Sequence, residues 1–298
     1  MRPGRPGQPA LVCFPPGGGA AGGYRELANH ITEGVGVYAV QYPGRRDRIG
    51  EALIPCLTEL ADHIAMALAP LLGGELALFG HSMGATIAFE TARRLEARGR
   101  TTITLFVSGR TAPSEPAADR LADTGDATLI AELERLANDP ASVAVLRTNS
   151  ALAAAVLPAV RNDYLAIENY VYAPGDPLRC PVVGLTGADD PVVAPDQLAR
   201  WRTHTSGSFD LHIFPGSHFY LDAQPAAIAQ VINSGIGAAD SASTNVHKRA
   251  VSLPRVGKAA QPDSPSEGAD DGYGLPNELR HGRFGPASHI ARGNRPRW

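Results

Sequence analysis

Short apolar runs bounded by glycine or proline recur along the chain, with stretches of helical spacing between them. Six of these runs lack strict alternation of apolar and polar residues, as expected for strands that are covered on both faces. They lie at residues 11–14, 35–41, 76–79, 103–107, 182–186 and 211–214. Helical segments lie at residues 24–31, 57–72, 83–97, 194–203 and 225–232. This alternation predicts an α/β fold, with a mostly parallel sheet and helices on both of its faces.

The alternation stops between residues 112 and 172, where no strand pattern occurs. Three helical segments fill this stretch instead, at residues 126–138, 142–148 and 149–170. Because segments over a rigid sheet often control access to a site, we expect this helical insertion to be a lid. Ordinary peripheral helices would produce the same pattern.

The two ends of the chain differ from this central part. We expect a single domain over residues 10–237, preceded by a flexible N-terminus at residues 1–9. Residues 238–298 are rich in proline, glycine and serine and have no sustained periodicity. Such a composition buries too little apolar surface to fold, so we predict a disordered tail there.

The most specific chemical signal is the segment from Gly80 to Gly84, which places Ser82 between two glycines in a G-x-S-x-G pattern. An apolar strand precedes it and a helical pattern follows it, which is the context of the nucleophile elbow of α/β-hydrolases. The glycines are needed because a strained serine at such a turn brings strand and helix backbones close together. The alternative is a tight turn with an incidental serine.

A serine nucleophile needs a base, and the base needs a group that orients it. In the α/β-hydrolase order, an acid and then a histidine follow the serine, each beyond a later strand. Asp190 follows the strand at 182–186 in a G-x-x-D loop, and we prefer it as the acid, with the adjacent Asp189 as the alternative. His218 follows the strand at 211–214 and a Pro-Gly turn, which makes it the candidate base.

An oxyanion hole requires two backbone N–H groups that point at the developing negative charge. The N–H of Met83, directly after the nucleophile, is the first candidate. The second should come from the loop after the first strand, where Pro15 and Pro16 have no N–H and Gly17 or Gly18 must donate. A glycine-rich loop can also bind phosphate, but this one lacks the G-K-[ST] ending of such sites.

Composition restricts the remaining possibilities. The 298-residue chain has a net charge of −3, so we do not expect it to bind nucleic acid. Its three cysteines have no metal-ligand spacing, and we predict neither a metal nor a cofactor. The N-terminus has no apolar signal region, and the apolar stretch at 151–160 is too short to cross a bilayer. We therefore expect a cytoplasmic monomer without membrane contact.

Several segments together resemble the type II thioesterases, which are separate α/β-hydrolases that accompany polyketide and nonribosomal peptide synthases. The resemblance extends from about residue 11 to 232 and is strongest in the Tyr-Pro-Gly-Arg segment and in one lid motif. The segments are residues 13–19, 41–48, 79–85, 157–164, 187–193 with Trp201, and 214–219.

This resemblance implies hydrolysis of acyl groups held as thioesters on the phosphopantetheine arm of an acyl or peptidyl carrier protein, which clears stalled chains from the synthase. It implies that Ser82 attacks the thioester carbonyl, that His218 takes its proton, and that Asp190 orients His218. Arg45 and Arg46 could contact phosphate or an acidic carrier protein, and a structural ion pair explains them equally well.

Three other functions fit the same residues. One is ester hydrolysis or chain-releasing cyclisation on the same fold, and another is acyl transfer to an alcohol or amine. The third is a carrier-protein binder without catalysis, although a complete Ser, Asp, His order argues against it.

Overall fold

The computed structural model describes residues 3–5, 7–69, 74–115 and 120–249, with side chains described as far as residue 237. Six parallel strands form one sheet in the order β2-β1-β3-β4-β5-β6. They are β1 (Ala10–Phe14), β2 (Gly36–Ala39), β3 (Leu76–His81), β4 (Thr104–Ser108), β5 (Val182–Gly187) and β6 (Phe209–Phe214). The prediction of an α/β fold with six strands at these places is confirmed.

Nine α-helices accompany the sheet in the described part of the chain. They are α1 (Arg25–Asn29), α2 (Leu57–Leu68), α3 (Met83–Ala97), α4 (Asp126–Leu136), α5 (Pro140–Thr148), α6 (Ser150–Glu168), α7 (Pro195–Leu198), α8 (Tyr220–Ala223) and α9 (Pro225–Arg249). The segment predicted as one helix at 194–203 is a single α-turn, α7, that continues as a 3₁₀ helix over Ala199–His204.

Helices cover both faces of the sheet, and this explains why the strand runs lack strict alternation. Along β1, Leu11 and Cys13 belong to the core that includes residues of α1 and α9. Val12 and Phe14 belong to the core that includes residues of α2 and α3. Because successive strand residues point to opposite faces, a strand between two cores is apolar at every position.

The predicted insertion is helical, with α4, α5 and α6 lying between β4 and β5. These helices have a small apolar core of their own, formed by Leu129, Ile130, Leu146, Leu157 and Val160. A separate core allows the three helices to hold together as a unit. That this unit acts as a lid stays a prediction.

The domain over residues 10–237 stays a prediction, and α9 continues past residue 237 to Arg249. The remainder of the predicted tail, residues 250–298, lies outside the described residues. By contacts the chain divides into Met1–His247 and Lys248–Trp298. At the other end, the Gly4 N–H donates to the Tyr38 hydroxyl at 3.3 Å, so part of the predicted flexible N-terminus contacts the sheet.

In the described ranges, no individual helix has both the length and the apolarity needed to cross a membrane. The sharply bent pair α5 and α6 meets the criterion only when its two helices are taken together, by length and composition.

Candidate active site

Ser82 lies at the apex of a sharp turn between β3 and α3. Its φ is 52° and its ψ is −122°, a conformation that costs a non-glycine residue energy. The Ser82 N–H donates to the Ser108 carbonyl at 2.8 Å, which ties the turn to the neighbouring strand β4. The structure thus presents the elbow that the sequence pattern predicts.

Both glycines of the elbow are required by close backbone contacts. A Cβ on Gly80 would collide with the Gly84 carbonyl, and a Cβ on Gly84 would collide with the Phe14 carbonyl. Because these neighbours are backbone atoms, neither collision could be relieved by turning a side chain. The strand, the turn and the first turn of α3 are therefore packed backbone to backbone around Ser82.

His218 and Asp190 form a buried pair at the same edge of the sheet. The Nδ1–H of His218 donates to both carboxylate oxygens of Asp190, at 3.0 Å each. The two side chains are 1% and 0% exposed. Asp190 also accepts the Val192 N–H at 2.8 Å. Because a carboxylate has only acceptors, Nδ1 must carry the proton, and the lone pair of Nε2 is left free to accept one.

Asp189, the alternative acid, is exposed and forms no described hydrogen bond with His218. Its backbone N–H donates to the Gly216 carbonyl at 3.0 Å, which joins the acid loop to the histidine loop. The structure therefore favours Asp190 as the partner of His218.

Sequence reasoning missed a second buried histidine in this site. His81 directly precedes Ser82, and its buried ring packs against His218 with 4.9 Å between ring centroids. Its Nδ1 lies 2.9 Å from the Ser108 hydroxyl, which in turn lies 2.6 Å from the Tyr220 hydroxyl. The one sequence signal was Ser108 itself, a polar residue at the carboxyl end of an apolar strand.

Burial lowers the pKa of His81 well below its ordinary value, and the neighbouring His218 lowers it further. His81 is therefore neutral at neutral pH. A neutral His81 ring would not repel a positive charge on His218 if that residue took a proton.

In the part of the chain that the structure describes, the hydrogen bonds of the His218 ring run to Asp190, and none joins it to Ser82 Oγ. Contacts of this kind are often long in a free enzyme and shorten when substrate binds.

Backbone hydrogen bonds in the loop after β1 distinguish Gly17 from Gly18, the two oxyanion donors that the sequence left open. The Gly18 N–H donates to Asp163 Oδ2 of α6 at 2.8 Å and is therefore occupied. The Gly17 N–H donates to no acceptor within the described part of the chain. At the first position of α3, the N–H of Met83 has no intrahelical acceptor. Gly17 is thus favoured over Gly18 as the partner of Met83.

Arg45 forms a structural ion pair. Its Nη1 and Nη2 each lie 2.7 Å from a carboxylate oxygen of Asp163, and the Arg45 and Asp163 side chains are 9% and 3% exposed. Of the two explanations that the sequence left open for Arg45, the ion pair is correct. Arg46 is exposed and adopts a positive φ of 53°. No cluster of three potential metal ligands occurs in the ranges that the structure describes.

Comparisons with known proteins agree with this geometry. The thioesterase domain family model matches residues 9–236. A probable cadicidin biosynthesis thioesterase from Streptomyces griseus is 44% identical over 227 residues, which cover 75% of this chain and 62% of that protein. Thioesterase PikA5 of Streptomyces venezuelae is 43% identical over 217 residues, which cover 72% of this chain and 76% of that protein. The solved structure of type II thioesterase BorB, from the borrelidin biosynthetic cluster, is similar with a TM-score of 0.70 at 41% identity, covering 79% of this chain and 94% of that one.

The sheet order, the elbow and the solved relative define the class as an α/β-hydrolase. Within that class the chain belongs to the thioesterase domain family, and its reaction is thioester hydrolysis. The resemblance to type II thioesterases of antibiotic biosynthesis is confirmed by the relatives from the cadicidin and borrelidin pathways.

Proposed function

We propose that this thioesterase releases acyl groups from the phosphopantetheine arm of acyl or peptidyl carrier proteins, with Ser82, His218 and Asp190 as its catalytic triad. The observation that carries the proposal is the buried pairing of His218 with Asp190, beside the residue that precedes Ser82. All strands are parallel, so the ends of β3, β5 and β6 that carry these residues meet at one sheet edge.

In the first half of the reaction, His218 Nε2 takes the proton of Ser82 as the serine oxygen attacks the thioester carbonyl. Asp190 holds the imidazole in the tautomer that can accept this proton and stabilises the cation that results. The N–H groups of Met83 and Gly17 stabilise the oxyanion. Collapse of the tetrahedral intermediate breaks the C–S bond, and His218 returns its proton to the departing pantetheine sulfur.

In the second half, water replaces the thiol. His218 takes a proton from water, the hydroxide attacks the acyl-serine carbonyl, and the intermediate breaks its bond to Ser82. The serine oxygen recovers its proton from His218. The net reaction consumes one water and yields a carboxylic acid and a free pantetheine thiol. Because a thiolate is a good leaving group, we propose that selectivity lies in the lid and in carrier docking.

A panel of acylated carrier proteins tests this function by intact-protein mass spectrometry. The wild-type chain should return the arms to free thiols, and Ser82→Ala should lose about 10⁶ in kcat while remaining folded. Ser234→Ala is the matched control and should keep full activity, since it removes an exposed serine hydroxyl on α9 that donates to the Gln230 carbonyl of the same helix.

The same assay separates the alternatives. Hydrolysis of simple esters with acyl carriers left intact would indicate an esterase. An acyl-enzyme that persists in buffer and disappears on addition of an alcohol or amine would indicate an acyltransferase. Binding of carriers without any turnover, in wild type as in Ser82→Ala, would overturn the catalytic proposal. The monomeric state and the cytoplasmic location stay predictions.

A further inference from the structure

The Asp163 carboxylate on α6 accepts a hydrogen bond from the loop after β1, which carries the proposed oxyanion donor Gly17. We propose that Asp163 is a positioning residue that holds this loop, so that the Gly17 N–H is aimed at the thioester oxygen. The proposal rests on the proposed function, because it concerns the hole that stabilises attack by Ser82. By this proposal Asp163, which lies outside the triad, affects turnover through the position of the loop.

The loop is a tight turn with little rigidity of its own. The Gly19 N–H donates to the Pro16 carbonyl at 2.9 Å, and Gly18 in the third position has a φ of 72°. A positive φ at this position is what a type II turn requires. Gly17 and Gly18 have no side chains that would restrict their backbone angles, so the turn needs an anchor from outside.

Asp163 and Arg45 supply that anchor from two sides. Asp163 Oδ2 accepts the Gly18 N–H at 2.8 Å, and Arg45 Nη1 donates to the Gly19 carbonyl at 3.1 Å. The two side chains hold each other through the bidentate pair. Because both are almost fully buried, water competes little for these bonds, and the geometry of the pair is transmitted to the backbone of the turn.

The lid helix also rests directly on the turn. A Cβ on Gly18 would lie 3.0 Å from Cγ2 of Val160. Val160 and Asp163 are three residues apart on α6 and therefore share one face of the helix. A displacement of α6 would move both contacts together, so the position of the lid and the aim of the oxyanion donor are coupled through this face.

Asp163→Asn tests the proposal, because it removes the charge and half of the acceptor capacity without changing the size of the side chain. We expect kcat to fall about 10- to 100-fold, which does not exceed the loss of rate that follows removal of a whole oxyanion donor. KM should change by less than about threefold. The affinity for an alkyl boronic acid, which forms a tetrahedral adduct with Ser82, should fall with kcat. Asp126→Asn is the matched control, since Asp126 pairs with Arg161 of α6, the helix that carries Asp163, but is 67% exposed.

Asp163→Glu separates positioning from stability. It keeps the charge beside Arg45, so the fold should persist, but it displaces the oxygen that receives the Gly18 N–H. A melting temperature near that of wild type together with a reduced kcat supports the proposal. Unchanged kcat and boronic acid affinity per folded molecule in this variant would overturn it, whatever the stability of Asp163→Asn. Failure of the proposed function has a different signature, because the wild-type chain itself would then leave acyl carriers intact.

Discussion

The imidazoles of His81 and His218 pack against each other with 4.9 Å between ring centroids and an interplanar angle of 41°, and His81 directly precedes Ser82 in the chain. Only one of the two is held by a carboxylate, since Asp190 binds His218 and the Ser108 hydroxyl binds His81. Two buried cations at this separation would repel each other strongly. The arrangement therefore works only if His81 stays neutral while His218 gains and loses a proton.

The lowered pKa of His81 predicts how stability depends on pH. The unfolded chain protonates this imidazole near its ordinary pKa of about 6.5, and the folded chain resists protonation. The unfolded state therefore binds more protons as the pH falls below that value, and the free energy of unfolding decreases by up to about 1.4 kcal/mol per pH unit. His81→Phe should make this decrease shallower. Chemical denaturation at a series of pH values from about 5 to 8 measures the slope.

The control for this experiment is His63→Phe, which replaces an exposed histidine on α2 and should leave the slope as in wild type. Burial, and then the nearby Arg93, lower the pKa of His204, which keeps contributing in both variants, so the slope should not vanish. Equal slopes for wild type and His81→Phe would contradict a neutral His81.

Asp190→Asn should reduce kcat by about 10⁴ and leave the fold intact. The amide can present its NH₂ group to His218 Nδ1, which favours the tautomer with the proton on Nε2, and that tautomer cannot accept the proton of Ser82. Asp189→Asn should stay within a few-fold of wild type, because Asp189 is exposed and the described hydrogen bonds of His218 Nδ1 run to Asp190. Steady-state hydrolysis of one thioester by both variants decides between the two acids, and a larger loss for Asp189→Asn would refute the assignment.

Gly109→Ala should reduce activity through the two imidazoles. Its Cβ would lie 2.7 Å from Cε1 of His81 and 3.3 Å from Cε1 of His218, so both rings must shift. A misplacement of about 1 Å can lower turnover by about 10². The measurement is kcat for thioester hydrolysis, compared with the unfolding free energy of the same variant.

Gly99→Ala is the control, since Gly99 also has a positive φ, 74°, and a Cβ there meets no atom within 4 Å. Both variants should lose about 1 kcal/mol of stability from backbone strain. Only Gly109→Ala should lose turnover, and equal kcat in the two variants would show that the rings are not held at Gly109.

Much of this structure could be predicted from local patterns. The strands are visible because both faces of the sheet are covered, and the elbow is visible because close backbone contacts permit only glycine at two positions. The continuation of α9 to Arg249 was missed, because polar and small residues there lack a regular apolar face. The loop spacing favoured Asp190 over Asp189, and the hydrogen bonds to His218 then distinguished them.

By itself, the sequence determined the elements, their order and the residue types available at the site, since these depend on burial and backbone sterics between near neighbours. Only the tertiary structure decided which side chains meet. Arg45 and Asp163 are 118 positions apart, and Ser108 and Tyr220 are 112 apart. Such pairs have no repeating spacing in the sequence. They form where packing of the two cores brings distant elements together, so local sequence patterns do not reveal them.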